Sequence, residues 1–214
     1  MGDDWFTGFE ALTLDLAGVA LHARIGGRED APPLLLLHGF PQTHVMWHRV
    51  AQPLAPHFRL VLPDLRGYGD SAKPAGLPDH ANYSKRAMAA DVHALMQRLG
   101  HAQYAVCGHD RGGRVAHRLA LDQPQAVTQL ALIDIAPTLD MVAATDRRFA
   151  TAYYHWFHMI QPAPLPEKMI LGAGRDYLLR KLGAWGGAGT GFIEPRALAE
   201  YERCFLREDA VHAV

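Results

Sequence analysis

The sequence predicts an α/β protein: a mostly parallel sheet flanked by helices, with a helical cap over one end. Three observations predict it. Short, mostly apolar runs recur at Leu34–Leu37, Phe58–Leu62 (interrupted only by Arg59), Tyr104–Cys107 and Leu130–Ile133, as expected of strands buried on both faces. Segments of helical period separate them with short connections, which is how a parallel sheet gets its two helical layers. After Pro137 no further run of this kind appears, and aromatic segments broken by prolines take over.

Taken in order, Leu12–Leu16 and Val19–Ile25 read as two short strands joined by Ala17-Gly18, and Gly26–Asp30 marks a turn. Leu34–Leu37 follows Pro32-Pro33 and stops at His38-Gly39. A helix is predicted over Thr43–Leu54, then a strand over Phe58–Leu62, closed by Pro63-Asp64 and the loop Arg66–Ser71. From Ser84 to Gly100, Met88, Val92, Leu95, Met96 and Leu99 share one helical face. Ser84 can cap that helix and Gly100 can end it in the left-handed conformation. The strand Tyr104–Cys107, a helix over Gly112–Leu121 and the strand Leu130–Ile133 follow. Beyond Pro137, Phe149, Tyr153, Trp156, Phe157 and Ile160 lie on one helical face, and Pro162, Pro164 and Pro166 interrupt it. Helices are expected over Glu167–Leu182 and Pro195–Phe205, with the glycine-rich stretch Gly183–Gly191 between them. The reading divides the chain into a sheet-bearing core, residues 1–136, and a helical cap, residues 137–214.

Composition narrows the function classes. Twenty-one Lys and Arg stand against 22 Asp and Glu in 214 residues, so neither nucleic acid nor an anionic membrane finds an electrostatic footprint. No apolar run reaches the length of a membrane span. Residues Met1–Phe9 carry Asp3 and Asp4 and no basic stretch, which argues against a signal peptide. Cys107 and Cys204 make no disulfide framework, so a cytoplasmic location is expected.

The most informative segment is Gly108-His109-Asp110-Arg111-Gly112-Gly113-Arg114, which closes a buried strand and opens a helix. This is the strand–turn–helix setting of a nucleophile elbow, with Asp110 where G-x-S-x-G has serine. A carboxylate there is favoured by the helix dipole and free N–H groups. Read alone, Asp110 could equally be an N-cap. Two further motifs, His38-Gly39-Phe40-Pro41 and Asp64-Leu65-Arg66-Gly67-Tyr68-Gly69-Asp70-Ser71, precede it in the chain. His44 and His48 have helical metal-ligand spacing but lack the glutamate of H-E-x-x-H, so no metal and no cofactor is assigned.

With these motifs in this order, the chain resembles the α/β-hydrolase superfamily. It looks like the aspartate-nucleophile branch, and within it the haloacetate (fluoroacetate) dehalogenases, from about residue 8 to the end. The resemblance implies an α/β-hydrolase fold with Asp110 as nucleophile and an oxyanion hole from the backbone N–H groups of Phe40 and Arg111. It implies that Arg111 and Arg114 clamp a substrate carboxylate, and that Asp134, at the end of the Leu130–Ile133 strand, is the acid that orients a histidine. It implies that His155 and Trp156 hold the departing halide. Without it, Arg111 and Arg114 would read as surface ion-pair partners, Asp134 as the start of the cap connection, and Trp156 as cap core.

The chemistry agrees with the arginines. A 2-haloacid is an anion approaching an anionic carboxylate, and two guanidinium groups can neutralise and orient it. The expected partners are a small haloacid and water, with no nucleic acid or membrane, and a homodimer is compatible with the family. An epoxide hydrolase, with Tyr153 or Tyr154 protonating the epoxide, is the alternative within the fold. A catalytically incomplete fragment that only binds a carboxylate or a partner is the alternative outside that chemistry. In this fold the histidine follows the acid, yet only His155, His158 and His212 follow Asp134 and none matches the family position. The sequence reading therefore expects the C-terminal strands and the catalytic histidine to be missing, with Leu130–Ile133 left as an exposed sheet edge.

Overall fold

A computed structural model describes residues 4–16, 18–183 and 189–214. Among the described residues, six strands, β1 (Glu10–Asp15), β2 (Ala20–Gly27), β3 (Pro33–Leu37), β4 (Arg59–Pro63), β5 (Tyr104–His109) and β6 (Val127–Ile133), form one sheet in the order β1-β2-β4-β3-β5-β6. β1 runs antiparallel to β2 and β2 to β4, while β4, β3, β5 and β6 are mutually parallel. The chain leaves β3 towards β4 and leaves β5 towards β6, on opposite sides, which opens a crevice between β3 and β5 at their C-terminal ends, where α/β sheets hold ligands.

Alternate residues of the apolar runs serve the two faces. Leu35, Leu37 and Val61 pack with Met88, Val92, Leu95, Val115 and Leu119, the buried stripe of α2 (Lys85–Arg98) and α3 (Arg111–Asp122). Leu34, Leu36, Leu60 and Leu62 face the other way, onto Phe6, Val45, Trp47 and Ala51. Ser84 caps α2 by accepting from the Ala87 N–H at 3.1 Å, and Gly100 follows the helix at φ +84°. The predicted helix over Thr43–Leu54 is instead a 3-10 turn, His44–Trp47, capped by Thr43 and running into α1 (His48–Leu54).

After β6 come α4 (Thr138–Ala143), α5 (Arg147–Ala152), α6 (Tyr154–Met159), α7 (Leu165–Ala173), α8 (Arg175–Gly183), α9 (Pro195–Phe205) and α10 (Glu208–Ala213). The aromatic helix expected across residues 149–160 breaks at Tyr153 (φ −101°, ψ 28°) into α5 and α6. Phe149, Tyr153 and Trp156 still stack together, but Phe157 and Ile160 are exposed. The helix expected over Glu167–Leu182 is divided at Gly174 (φ +51°) into α7 and α8. α9 has its predicted bounds, and its Ala197, Tyr201 and Phe205 join the cluster of Leu34, Leu36 and Leu60. The glycine-rich stretch expected at 183–191 falls mostly outside the described residues. β6 is the edge strand, and Leu130, Leu132 and Ile133 on it are exposed. Among the described residues, no helix is long and apolar enough to cross a membrane.

Candidate active site

The elbow is built by backbone approach. Asp110 sits between β5 and α3 with φ 49° and ψ −116°, a conformation that costs a non-glycine residue about 1–3 kcal/mol. Glycines make the turn possible. A Cβ on Gly112 would lie 2.3 Å from the carbonyl oxygen of His38, and one on Gly39 would lie 2.6 Å from Asp110 Cβ. The Phe40 N–H donates to Asp110 Oδ1 at 2.8 Å. One of the two predicted oxyanion-hole groups is thus within bonding distance of the predicted nucleophile. Arg111 opens α3, and its guanidinium lies 5.1 Å from the Phe40 ring centre.

Beneath this floor lies a buried polar network. His38, fully buried, accepts the Leu65 N–H on Nε2 at 3.0 Å, leaving Nδ1 to meet Gly39 O at 3.1 Å. Burial pushes the His38 pKa down to about 4, against the pull of Asp64, so the ring is neutral. Asp64 Oδ1 accepts from both the backbone N–H and Nδ1 of His44, at 2.8 and 2.9 Å, and Oδ2 accepts from Asp70 N–H at 3.0 Å. Burial disfavours both charges. The pairing outweighs it, so the His44 pKa is raised and that of Asp64 is held well below the usual carboxylate range. His22, His44 and Asp64 bring one ligand atom each within 4.8 Å of one another. The Asp64 oxygens are already engaged by the fold, so the trio is better suited to holding the 38–44 and 64–71 loops together than to holding a metal. His48, the other histidine of the spacing, turns away to Val45 O and Glu194.

Arg114 is buried and fastened to the cap. Its Nη1 donates to Thr138 Oγ1 at 2.5 Å and Ala136 O at 3.3 Å, and its Nη2 approaches Met141 Sδ at 3.2 Å. Trp156 lies against it, ring centre 4.7 Å from the guanidinium carbon. Of the predicted halide pair, Trp156 therefore packs on the predicted carboxylate clamp. His155 is buried and stacks parallel to Phe40 at 6.3 Å. Burial first, then the nearby charges of Lys181 and Arg111, pushes its pKa down to about 4. Near pH 7 it is a neutral donor.

Two cavities meet at Asp110 and Arg114. The larger, about 730 Å³, is also lined by Arg111, Lys85, Met88 and Trp156. The smaller, about 370 Å³, is lined by Phe40, His109, Asp134, Tyr153, His155 and Lys181. The structure thus gathers Phe40, Asp110, Arg111, Arg114, His155 and Trp156 around one centre. Asp134 ends β6 at φ 55° and lines the smaller cavity, but it is exposed, and no described histidine hydrogen-bonds it. Sequence reasoning missed Lys85 and Lys181. Burial and the neighbouring arginines push the Lys85 pKa down to about 7, with Asp110 opposing. Lysines on amphipathic helices read as solvated, and nothing local to either position signals burial. Thr138, which fixes Arg114, was likewise invisible without the third dimension.

A mostly parallel sheet covered by helices on both faces, with a strand–turn–helix elbow after β5, is the architecture of the α/β hydrolases. The chain belongs to the α/β hydrolase fold family, whose model it matches over residues 32–169. It is 49 % identical over 208 residues to the fluoroacetate dehalogenase of Burkholderia sp, covering 97 % of this chain and 67 % of that protein. It is 44 % identical over 107 residues to a soluble epoxide hydrolase of Corynebacterium sp. (strain C12), half of this chain and 36 % of that protein. Its structure superposes on that of ALR0039 from Nostoc sp PCC 7120 with a TM-score of 0.93 and 53 % identity, over 97 % of this chain and 70 % of the other.

Proposed function

We propose that the site performs hydrolytic dehalogenation of short 2-haloacids, converting fluoroacetate or chloroacetate to the 2-hydroxy acid. The observation that carries this reading is the convergence of a carboxylate, Asp110, and two guanidinium side chains, Arg111 and Arg114, on one cavity. A neutral substrate needs no such pair, whereas a haloacid approaching Asp110 does. An Asp110 oxygen attacks C2, the carbon–halogen bond breaks, and its electron pair leaves with the halide. The product is an ester on Asp110. Water then adds to the ester carbonyl, the oxyanion is stabilised by the Phe40 and Arg111 N–H groups, and hydroxy acid departs while a base takes the proton. Asp134 is the residue we assign to orient the histidine base, on the resemblance to the family. The 49 % identity to a fluoroacetate dehalogenase supports the substrate class.

One observation favours a second reading. Tyr153 lines the smaller cavity with Asp110, where its hydroxyl could protonate an opening epoxide, and an epoxide hydrolase is among the relatives. The deciding experiment measures halide released from fluoroacetate and chloroacetate against diol formed from styrene oxide. Halide without diol is expected, and Asp110→Asn is expected to abolish it, because a neutral amide is a poor nucleophile. Diol without halide would replace the dehalogenase reading with the epoxide one. Wild-type halide release by Asp110→Asn would remove Asp110 from the role.

A further inference from the structure

We propose that Lys181, on α8, is the counter-ion of a small-anion site in the smaller cavity, where it receives the halide displaced at Asp110; the substrate part of this inference rests on the dehalogenase reading. Lys181 is only 6 % exposed, yet no described carboxylate forms an ion pair with it. Its ammonium is held instead over the ring of Tyr154, 3.9 Å from the centre, with Tyr177 at 5.6 Å. Ring faces stabilise a cation but leave its net charge uncompensated. A buried charge without a partner is costly, and the cavity it lines is where an anion can supply one.

The other lining residues fit a small anion. His155, neutral, offers one N–H and no charge. The Phe40 ring and Met46 offer apolar wall. Asp110 lines the same cavity, so a halide displaced in line leaves C2 on the side away from Asp110, within that cavity. Carbon–halogen cleavage places a full negative charge on the departing atom, and a neutral imidazole alone compensates it poorly. Arg111, which lies against Phe40, and Arg114, which is held by Thr138, Met141 and Trp156, are the groups assigned to the substrate carboxylate. Among the described residues lining the smaller cavity, Lys181 is then the cation left for the halide. Its pKa, pushed down to about 8 by burial and Arg180, leaves it mostly charged near neutrality.

The test is bromide titration of the full chain, followed by tryptophan fluorescence, with Lys181→Met and Lys181→Arg alongside. Saturable quenching is expected in the wild type. Lys181→Met should shift it to roughly tenfold to a hundredfold higher bromide, and Lys181→Arg, which keeps the cation, should stay close to wild type. Equal thermal melts would show that the Met variant is folded; should it not fold, Lys181→Gln takes its place. Linear, collisional quenching in the wild type, or unchanged affinity in the neutral variant, would overturn the proposal. Halide release from chloroacetate, measured in parallel, separates the two readings. Lysine-dependent bromide binding without release removes the dehalogenase reading and leaves the anion site. Release with lysine-independent bromide binding does the reverse.

Discussion

The floor and the roof of the site are held in different ways. The floor, from His38 through the 64–71 loop to the elbow at Asp110, is fixed by backbone. Glycines bring chain against chain, and buried groups such as His38 and Asp64 bond main-chain N–H groups. The roof is fixed by side chains. Arg114 reaches up to Thr138 and Met141, Trp156 lies on Arg114, and Lys181 rests on Tyr154 and Tyr177. A backbone-built floor tolerates almost no added atom but holds its geometry without help. A side-chain-built roof tolerates local change, and its geometry depends on each long side chain keeping its partner.

The sharpest way to break the comparison is a methyl group in each half. Gly112→Ala in the floor puts a Cβ 2.3 Å from His38 O and 2.4 Å from Leu37 O, both backbone. Thermal unfolding should report a loss of roughly 3 kcal/mol, and a melt unchanged from wild type would mean the floor is not backbone-limited. Arg114→Lys tests the roof. Lysine cannot keep the planar fork on Thr138 and Ala136, so kcat/KM for haloacids should fall by roughly tenfold to a hundredfold. A neutral haloalkane should lose much less, and equal losses would argue against a carboxylate clamp.

The ion pair under the floor gives a pH test. The folded His44 has a raised pKa, so the stability it contributes is present below its unfolded value, about 6.5, and is lost as pH rises through the folded value. His44→Gln should therefore destabilise the protein more near about pH 5.5 than near about pH 9. Equal destabilisation at both, by chemical denaturation, would mean that His44 acts by shape alone. The smallest effect belongs to the roof. Gly172, inside α7, has no atom within 4 Å of where its Cβ would go. Gly172→Ala should leave activity unchanged and raise stability by about 0.5–1 kcal/mol.

The same contrast decides what was legible in the sequence. The elbow, His38-Gly39-Phe40 and the Asp64 loop are contiguous motifs whose chemistry follows from local conformation, so Phe40, Asp110 and Arg111 could be placed from residues alone. The runs of β3, β4 and β5 were legible because burial on both faces writes a mostly apolar stretch, whereas Leu130–Ile133 carries the same pattern on an exposed edge. The roof was legible only in outline. Tyr153 and Gly174 break helices that periodicity alone would continue, and Phe157 and Ile160 meet solvent although they share the pattern of a buried face. Lys181 and Thr138 act through partners on other helices, which no window of sequence contains. Asp134 stands at the strand end that the sequence indicates, and its exposure follows from β6 being the edge of the sheet.

The central claim, that Asp110 is alkylated by a haloacid and later freed by water, is tested most directly on the aspartate itself. The 214-residue chain is incubated with chloroacetate in heavy-oxygen water, digested, and the peptide containing Asp110 weighed. The predicted result is a carboxymethyl group on Asp110, or heavy oxygen in its carboxylate where that ester has been hydrolysed, with halide release accompanying either. Where the ester does hydrolyse, attack by water at its carbonyl must leave heavy oxygen in the Asp110 carboxylate. Halide release with Asp110 neither alkylated nor labelled, and heavy oxygen found only in the hydroxy acid, would contradict the account.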